Sequence, residues 1–90
     1  MSVADAMVQV QVRYFASLRE ALGADETVAL APGSTVGALR DALVARGGEH
    51  ARLLARGRAV RCALDRVMAD ESAALRDGAE VAFFPPVTGG

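Results

Sequence analysis

The sequence predicts an α+β domain of two layers: a mixed sheet of about five strands, covered on one face by one main helix plus short helices. Three stretches predict it. The run "MVQVQVRYF" at 7–15 alternates strictly, "PGSTVGALRDALVARGG" carries one helical stripe behind a polar cap, and "EVAFF" closes the chain's apolar pattern. Alternation marks half-buried strands and the stripe marks the helix that covers them, so their apolar faces meet in one core. At 90 residues and 9.3 kDa there is material for a single core and no second domain.

The elements follow in order. In the first strand Val8, Val10, Val12 and Tyr14 fall on one side, and Gln9, Gln11, Arg13 and Phe15 on the other. "ASLREALG" is a short helix with Leu18 and Leu22 four apart and Gly23 as its stop. "DETVALAP" reads as a second strand, with Val28 and Leu30 inward and Pro32 closing it. Ser34 or Thr35 caps the main helix, Val36, Leu39 and Leu43 form its stripe, and Gly47 ends it. "EHARLLARG" holds one or two helical turns, and "RAVRCALDRVMA" is a strand that turns near Asp65 and returns briefly. "DESAALRDGAE" is a loop with a helical or turn-like piece that finishes at Asp77-Gly78. The last strand puts Val81 and Phe83 on one face and Glu80, Ala82 and Phe84 on the other.

Composition excludes several functions. A net charge of −1 lacks the electrostatic footprint of a nucleic-acid binder. No apolar run approaches bilayer length, and "MSVADAM" lacks the basic and apolar regions of a signal peptide, so no membrane partner and a cytoplasmic location are expected. One cysteine, Cys62, cannot close an internal disulfide, in keeping with a reducing compartment. All ten basic residues are arginine, and Arg52, Arg56, Arg58, Arg61 and Arg66, interspersed with Glu49, Asp65, Asp70 and Glu71, read as a solvated face. One histidine and one cysteine do not make a metal site. As a nucleophile–base pair, Cys62 and His50 are unpromising: Cys62 reads as a small buried hydrophobe within a strand, and His50, beside Gly47-Gly48, reads as exposed. "PGSTVG" lacks the glycine spacing and the lysine of a phosphate loop. Neither a self-contained active site nor a stably bound cofactor is expected.

The end, "FFPPVTGG", is different. Pro85 and Pro86 donate no N–H, so the sheet ladder weakens there and the chain leaves extended. From Pro85 to Gly90 such a tail reaches about 20 Å at roughly 3.3 Å per residue. Gly89 and Gly90 carry no Cβ, so a narrow channel admits the backbone and presents the final carboxylate to attack. A carboxylate is a poor electrophile and has to be activated. Adenylation by ATP supplies a leaving group, and a sulfur nucleophile then displaces AMP to leave a thiocarboxylate, anionic and nucleophilic at neutral pH for the same reason that a thiolate is.

"DGAEVAFFPPVTGG", Asp77 to Gly90, resembles the C-terminus of the molybdopterin synthase small-subunit family, sulfur carriers with the ubiquitin-like β-grasp fold. "VQVRYFASLREALG" and "PGSTVGALRDAL" resemble that family's first strand, first helix and main helix, so the likeness covers nearly the whole chain. The resemblance implies a disordered start at 1–6, a β-grasp domain over 7–84 and a reactive tail over 85–90. It also implies that an E1-like adenylating enzyme uses ATP to activate Gly90, with Gly89 giving access, and that a sulfur donor protein makes the thiocarboxylate. The tail then enters the synthase large subunit and gives sulfur to cyclic pyranopterin monophosphate. One departure is Leu64-Asp65-Arg66, where relatives often have an asparagine in the hairpin.

The strand faces add an expected contact surface. Phe15 and Phe84 lie on polar faces of strands that are parallel neighbours in a β-grasp sheet, which puts both rings near one edge, outside the core and beside the tail. The family's contact surface adds Met68, and the tail adds Pro85, Pro86, Val87 and Thr88 as partner-binding residues. Three other readings stay open: a carrier for thiamine thiazole synthesis, a ubiquitin-like protein modifier, and an interaction domain with an inert tail.

Overall fold

The computed structural model describes residues 7–86. Five strands and three helices follow in the order β1 (Val8–Tyr14), α1 (Ala16–Leu22), β2 (Asp25–Leu30), α2 (Val36–Val44), α3 (Gly48–Leu54), β3 (Arg61–Leu64), β4 (Val67–Ala69) and β5 (Glu80–Phe84). The strands form one sheet in the order β2-β1-β5-β3-β4. β1 and β5 are parallel, and the other pairs are antiparallel, so the sheet is mixed as the sequence predicts. Disorder expected at 1–6, and the roles expected for Val87, Thr88, Gly89 and Gly90, lie outside the described residues.

Alternation does what it should in β1: Val10, Val12 and Tyr14 are buried while Gln9, Gln11 and Arg13 face solvent. Val28, Leu30, Val81 and Phe83 complete the inner face, and Val36, Leu39 and Leu43 of α2 close over it. Thr35, not Ser34, is the cap, accepting a hydrogen bond from the Ala38 N–H at 3.1 Å, whereas the Ser34 hydroxyl donates to the Ala31 carbonyl. The next two orphan donors at this helix start, Val36 N–H and Gly37 N–H, bond the carbonyls of Ala73 and Glu71. A Cβ on Gly37 would stand 3.2 Å from the Glu71 carbonyl oxygen, so glycine permits this close approach.

Two details differ from expectation, and a third decides between two alternatives. α2 ends at Val44, and Gly47, with φ near +76°, opens α3 rather than closing α2. Residues 70–79 take the turn-like alternative, with turns at 71–72 and 77–78 and no helix, and bury Leu75 and Ala79 in the core. His50 is not exposed: its side chain retains 22% of its accessible surface, with the ring edge-on to Tyr14 and Nε2 3.1 Å from the Glu26 carboxylate. Sequence neighbours could not show this, because the partners come from β1 and β2.

Candidate functional site

The described chain ends in the middle of the sheet, not at its rim. β5 runs parallel to β1 with Tyr14 opposite Phe83, and the Phe15 N–H donates to the Phe83 carbonyl at 3.1 Å. On the other side Phe84 lies opposite Arg61 of β3. Pro85 and Pro86 follow outside the strand, half-buried. Whatever continues from Pro86 therefore starts beside the ends of β1 and β3.

Phe15 and Phe84 fall at the same end of the sheet, as expected, but Phe84 is on the central strand β5 and Phe15 just past the end of its neighbour β1, rather than at an edge strand. Phe15 lies one residue past β1, caps the start of α1, and is 39% exposed. The Arg13 guanidinium stands 5.5 Å from its ring centroid and 3.4 Å from a Glu80 carboxylate oxygen. Phe84 is half-buried on the open face, while Phe83, one residue earlier, packs inward and stacks on Tyr14 at 6.4 Å. Period-2 geometry alone sends these adjacent phenylalanines to opposite destinations.

Met68 is 54% exposed on the edge strand β4, in a cross-sheet row with Ala63, Ala82 and Arg13. Two strand spacings separate β4 from β5, about 10 Å, so Met68 shares the open face but not the immediate end of the sheet. Val67, which the sequence reading passed over, is more exposed still at 68%. Its signal was its place in a three-residue strand beside a turn, where no neighbouring element covers it.

The Cys62 thiol is buried, donates to the Ala69 carbonyl at 3.2 Å, and has its pKa pushed up by burial, which favours the thiol over the thiolate. It lines an open groove of about 260 Å³ with Val60, Arg61 and Met68, whereas His50 faces Glu26 on β2; the two do not form a catalytic pair. Burial tends to raise the Glu26 pKa, but hydrogen bonds from Tyr14 at 2.7 Å, Arg46 and His50 outweigh it and leave it below the ordinary glutamate value. Tyr14 moves the other way, raised by burial and then by its bond to Glu26.

The solvated reading of Arg52, Arg58, Arg61 and Arg66 agrees with their exposure, and Arg56 pairs with Asp41 and Glu71. Arg40 is the exception that was missed. It is 4% exposed and donates to the carbonyls of Leu54, Ala55 and Arg58 and to Glu71. Its position, four residues after Val36 and three before Leu43, puts it on the buried stripe, which is the signal that would have found it. Among the described residues no group of three or more His, Cys, Asp or Glu side chains converges.

Residues 12–90 match the ThiS family. The chain belongs to the ThiS family. The matched segment takes in Gly89 and Gly90, and it covers every element placed above except the start of β1. This ThiS-family chain is 41% identical over 81 residues to the molybdopterin synthase sulfur carrier subunit of Escherichia coli, spanning 90% of this chain and 99% of that one. Among solved structures it is similar to SAMP1 of Haloferax volcanii, a small archaeal modifier protein. The two are 30% identical with a TM-score of 0.74, and the match covers 91% of this chain and 99% of that one. It is also similar to a chain in the complex of subunits 1 and 2 of the molybdopterin-converting factor from Helicobacter pylori. There the identity is 25% and the TM-score 0.63, with 92% and 100% covered. The fold is thus the ubiquitin-like β-grasp that the resemblance implied.

Proposed function

We propose that this ThiS-family chain is a sulfur carrier in molybdenum cofactor biosynthesis, the small subunit of a molybdopterin synthase, and that its reactive group is the carboxyl of Gly90. The observation that carries the reading is the family match through Gly89 and Gly90, together with a 41% identical relative named as that carrier. Cys62 and His50 are engaged elsewhere, with the Ala69 carbonyl and Glu26.

In the proposed cycle the Gly90 carboxylate attacks the α-phosphorus of ATP on an E1-like activating enzyme, and pyrophosphate leaves. Hydrosulfide supplied by a donor protein attacks the resulting acyl adenylate, AMP departs, and a thiocarboxylate remains. The tail, taken to begin at Pro85, then enters a large subunit, where the sulfur passes to cyclic pyranopterin monophosphate. The Helicobacter pylori complex of two converting-factor subunits supports such a partner. Phe15, Phe84 and Met68 would form the docking face, with Pro85, Pro86, Val87 and Thr88 lining the route inward. ATP is consumed on the activating enzyme rather than held by this chain, and the cycle is placed in the cytoplasm.

The test is intact mass after incubation with the activating enzyme, ATP and a sulfide donor. The expected product has one oxygen replaced by sulfur, and a chain lacking Gly90 is expected to show no such product while melting like the parent. An unchanged parent mass would overturn the proposal. The likeness to SAMP1 favours protein modification as a second reading, for which the product is this chain joined through Gly90 to a lysine of a target. Adding the large subunit and precursor separates a thiamine carrier, which gives no dithiolene.

A further inference from the structure

We propose that Arg13 is a positioning residue for docking: with Glu80 holding its guanidinium, it covers one face of the Phe15 ring and fixes the ring for the partner that receives the tail. The role rests on the docking face proposed above and adds to it a residue outside that face's apolar set.

The main chain at Phe15 is already held. Its N–H bonds the Phe83 carbonyl, and Ala16 follows with φ near +53°, a left-handed conformation that a non-glycine residue adopts only at a cost. Those constraints keep Phe15 out of the core but leave its side chain facing water, where a free ring would sample several rotamers. Ordering such a side chain on binding costs affinity, and a ring ordered beforehand avoids that loss.

Arg13 supplies the order. It stands two residues before Phe15, whose backbone is still extended just past β1, hence on the same face. Its guanidinium lies 5.5 Å from the ring centroid, inside the range in which a cation is attracted to an aromatic face. Glu80 anchors the guanidinium from β5 at 3.4 Å. The residue opposite Arg13 on β5 is Ala82, a small side chain that does not compete for the space. One ring face is thus occupied, and the remaining face and edge are what a partner meets.

The test is a double-mutant cycle, read by calorimetric titration of the purified large subunit with the full chain as wild type, Arg13→Ala, Phe15→Leu, the double variant and Arg13→Lys. Arg13→Ala is expected to weaken binding about two- to fivefold without moving the melting temperature. It should have no further effect in the Phe15→Leu background, and Arg13→Lys should recover part of the loss. Equal weakening in both backgrounds would mean that Arg13 touches the partner directly, and wild-type affinity in Arg13→Ala would mean that it does nothing; either overturns the role. In the free chain, NMR should show the Arg13 side-chain protons shifted upfield by the ring, an effect lost in Phe15→Leu, and its absence from the wild type also overturns it. A wild-type chain that fails to bind the large subunit sinks the docking reading and this role together, which distinguishes that failure from failure of Arg13 alone.

Discussion

Glu26 shows how a half-buried carboxylate is kept ionised. Tyr14, Arg46 and His50 all hydrogen-bond to it, and together they outweigh the desolvation that opposes its charge. Because its folded pKa lies below its unfolded one, the cluster stabilises the protein above the ordinary glutamate pKa, and that contribution disappears as pH falls through the depressed folded value. Chemical denaturation of wild type and Glu26→Gln between about pH 6 and pH 3 isolates the effect from the other carboxylates. Wild type should lose more stability over that interval than the variant, and parallel losses would contradict the assignment. None of this was legible in the sequence, where Glu26 is one acidic residue in a strand and His50 sits beside two glycines. The cluster exists only because β1, β2 and α3 converge.

At the scale of elements the β3–β4 hairpin is the informative one. A two-residue turn of this kind needs positive φ at both central positions, and here Asp65 and Arg66 supply them at 48° and 71°. Asp65 compensates by accepting the Glu80 N–H at 3.0 Å and pairing with Arg76, whereas Arg66 has no hydrogen-bond or ion-pair partner among the described residues. Left-handed backbone costs a non-glycine residue about 1–2 kcal/mol, and the extra unfolded freedom of glycine returns roughly 0.4–1 of that. Arg66→Gly should therefore stabilise by about 0.5–1 kcal/mol, visible as a higher urea midpoint; a lower midpoint would show that the arginine is needed. The sequence predicted the turn from chain direction and flagged its residues as a departure, but could not show which of the two is strained. Strands and the main helix were legible because their period repeats over many residues, while turns depend on one or two dihedrals.

For the molecule as a whole, Arg40 adds hydrogen bonds between parts that also meet in the single hydrophobic core. From α2 it reaches carbonyls at the end of α3, the carbonyl of Arg58 ahead of β3, and Glu71 ahead of β5. Arg40→Ala leaves buried carbonyls without donors and should cost about 3 kcal/mol, a large share of the 5–15 kcal/mol typical of a domain. Arg40→Met, which restores volume without donors, should recover little, and near-complete recovery in denaturant unfolding would show that packing alone mattered. Single-core architecture and the parallel pairing of the first and last strands were readable from pattern and resemblance; the buried cation was not, because the stripe was read through its apolar members only.

The parallel pairing of β1 with β5 has one more consequence, a mechanical one. A partner that draws the chain inward pulls along the axis of β5, so the load falls at once on its hydrogen bonds to β1 and β3 instead of peeling them one after another. In the proposed cycle, this pairing lets the chain be drawn in by its end while the sheet stays intact.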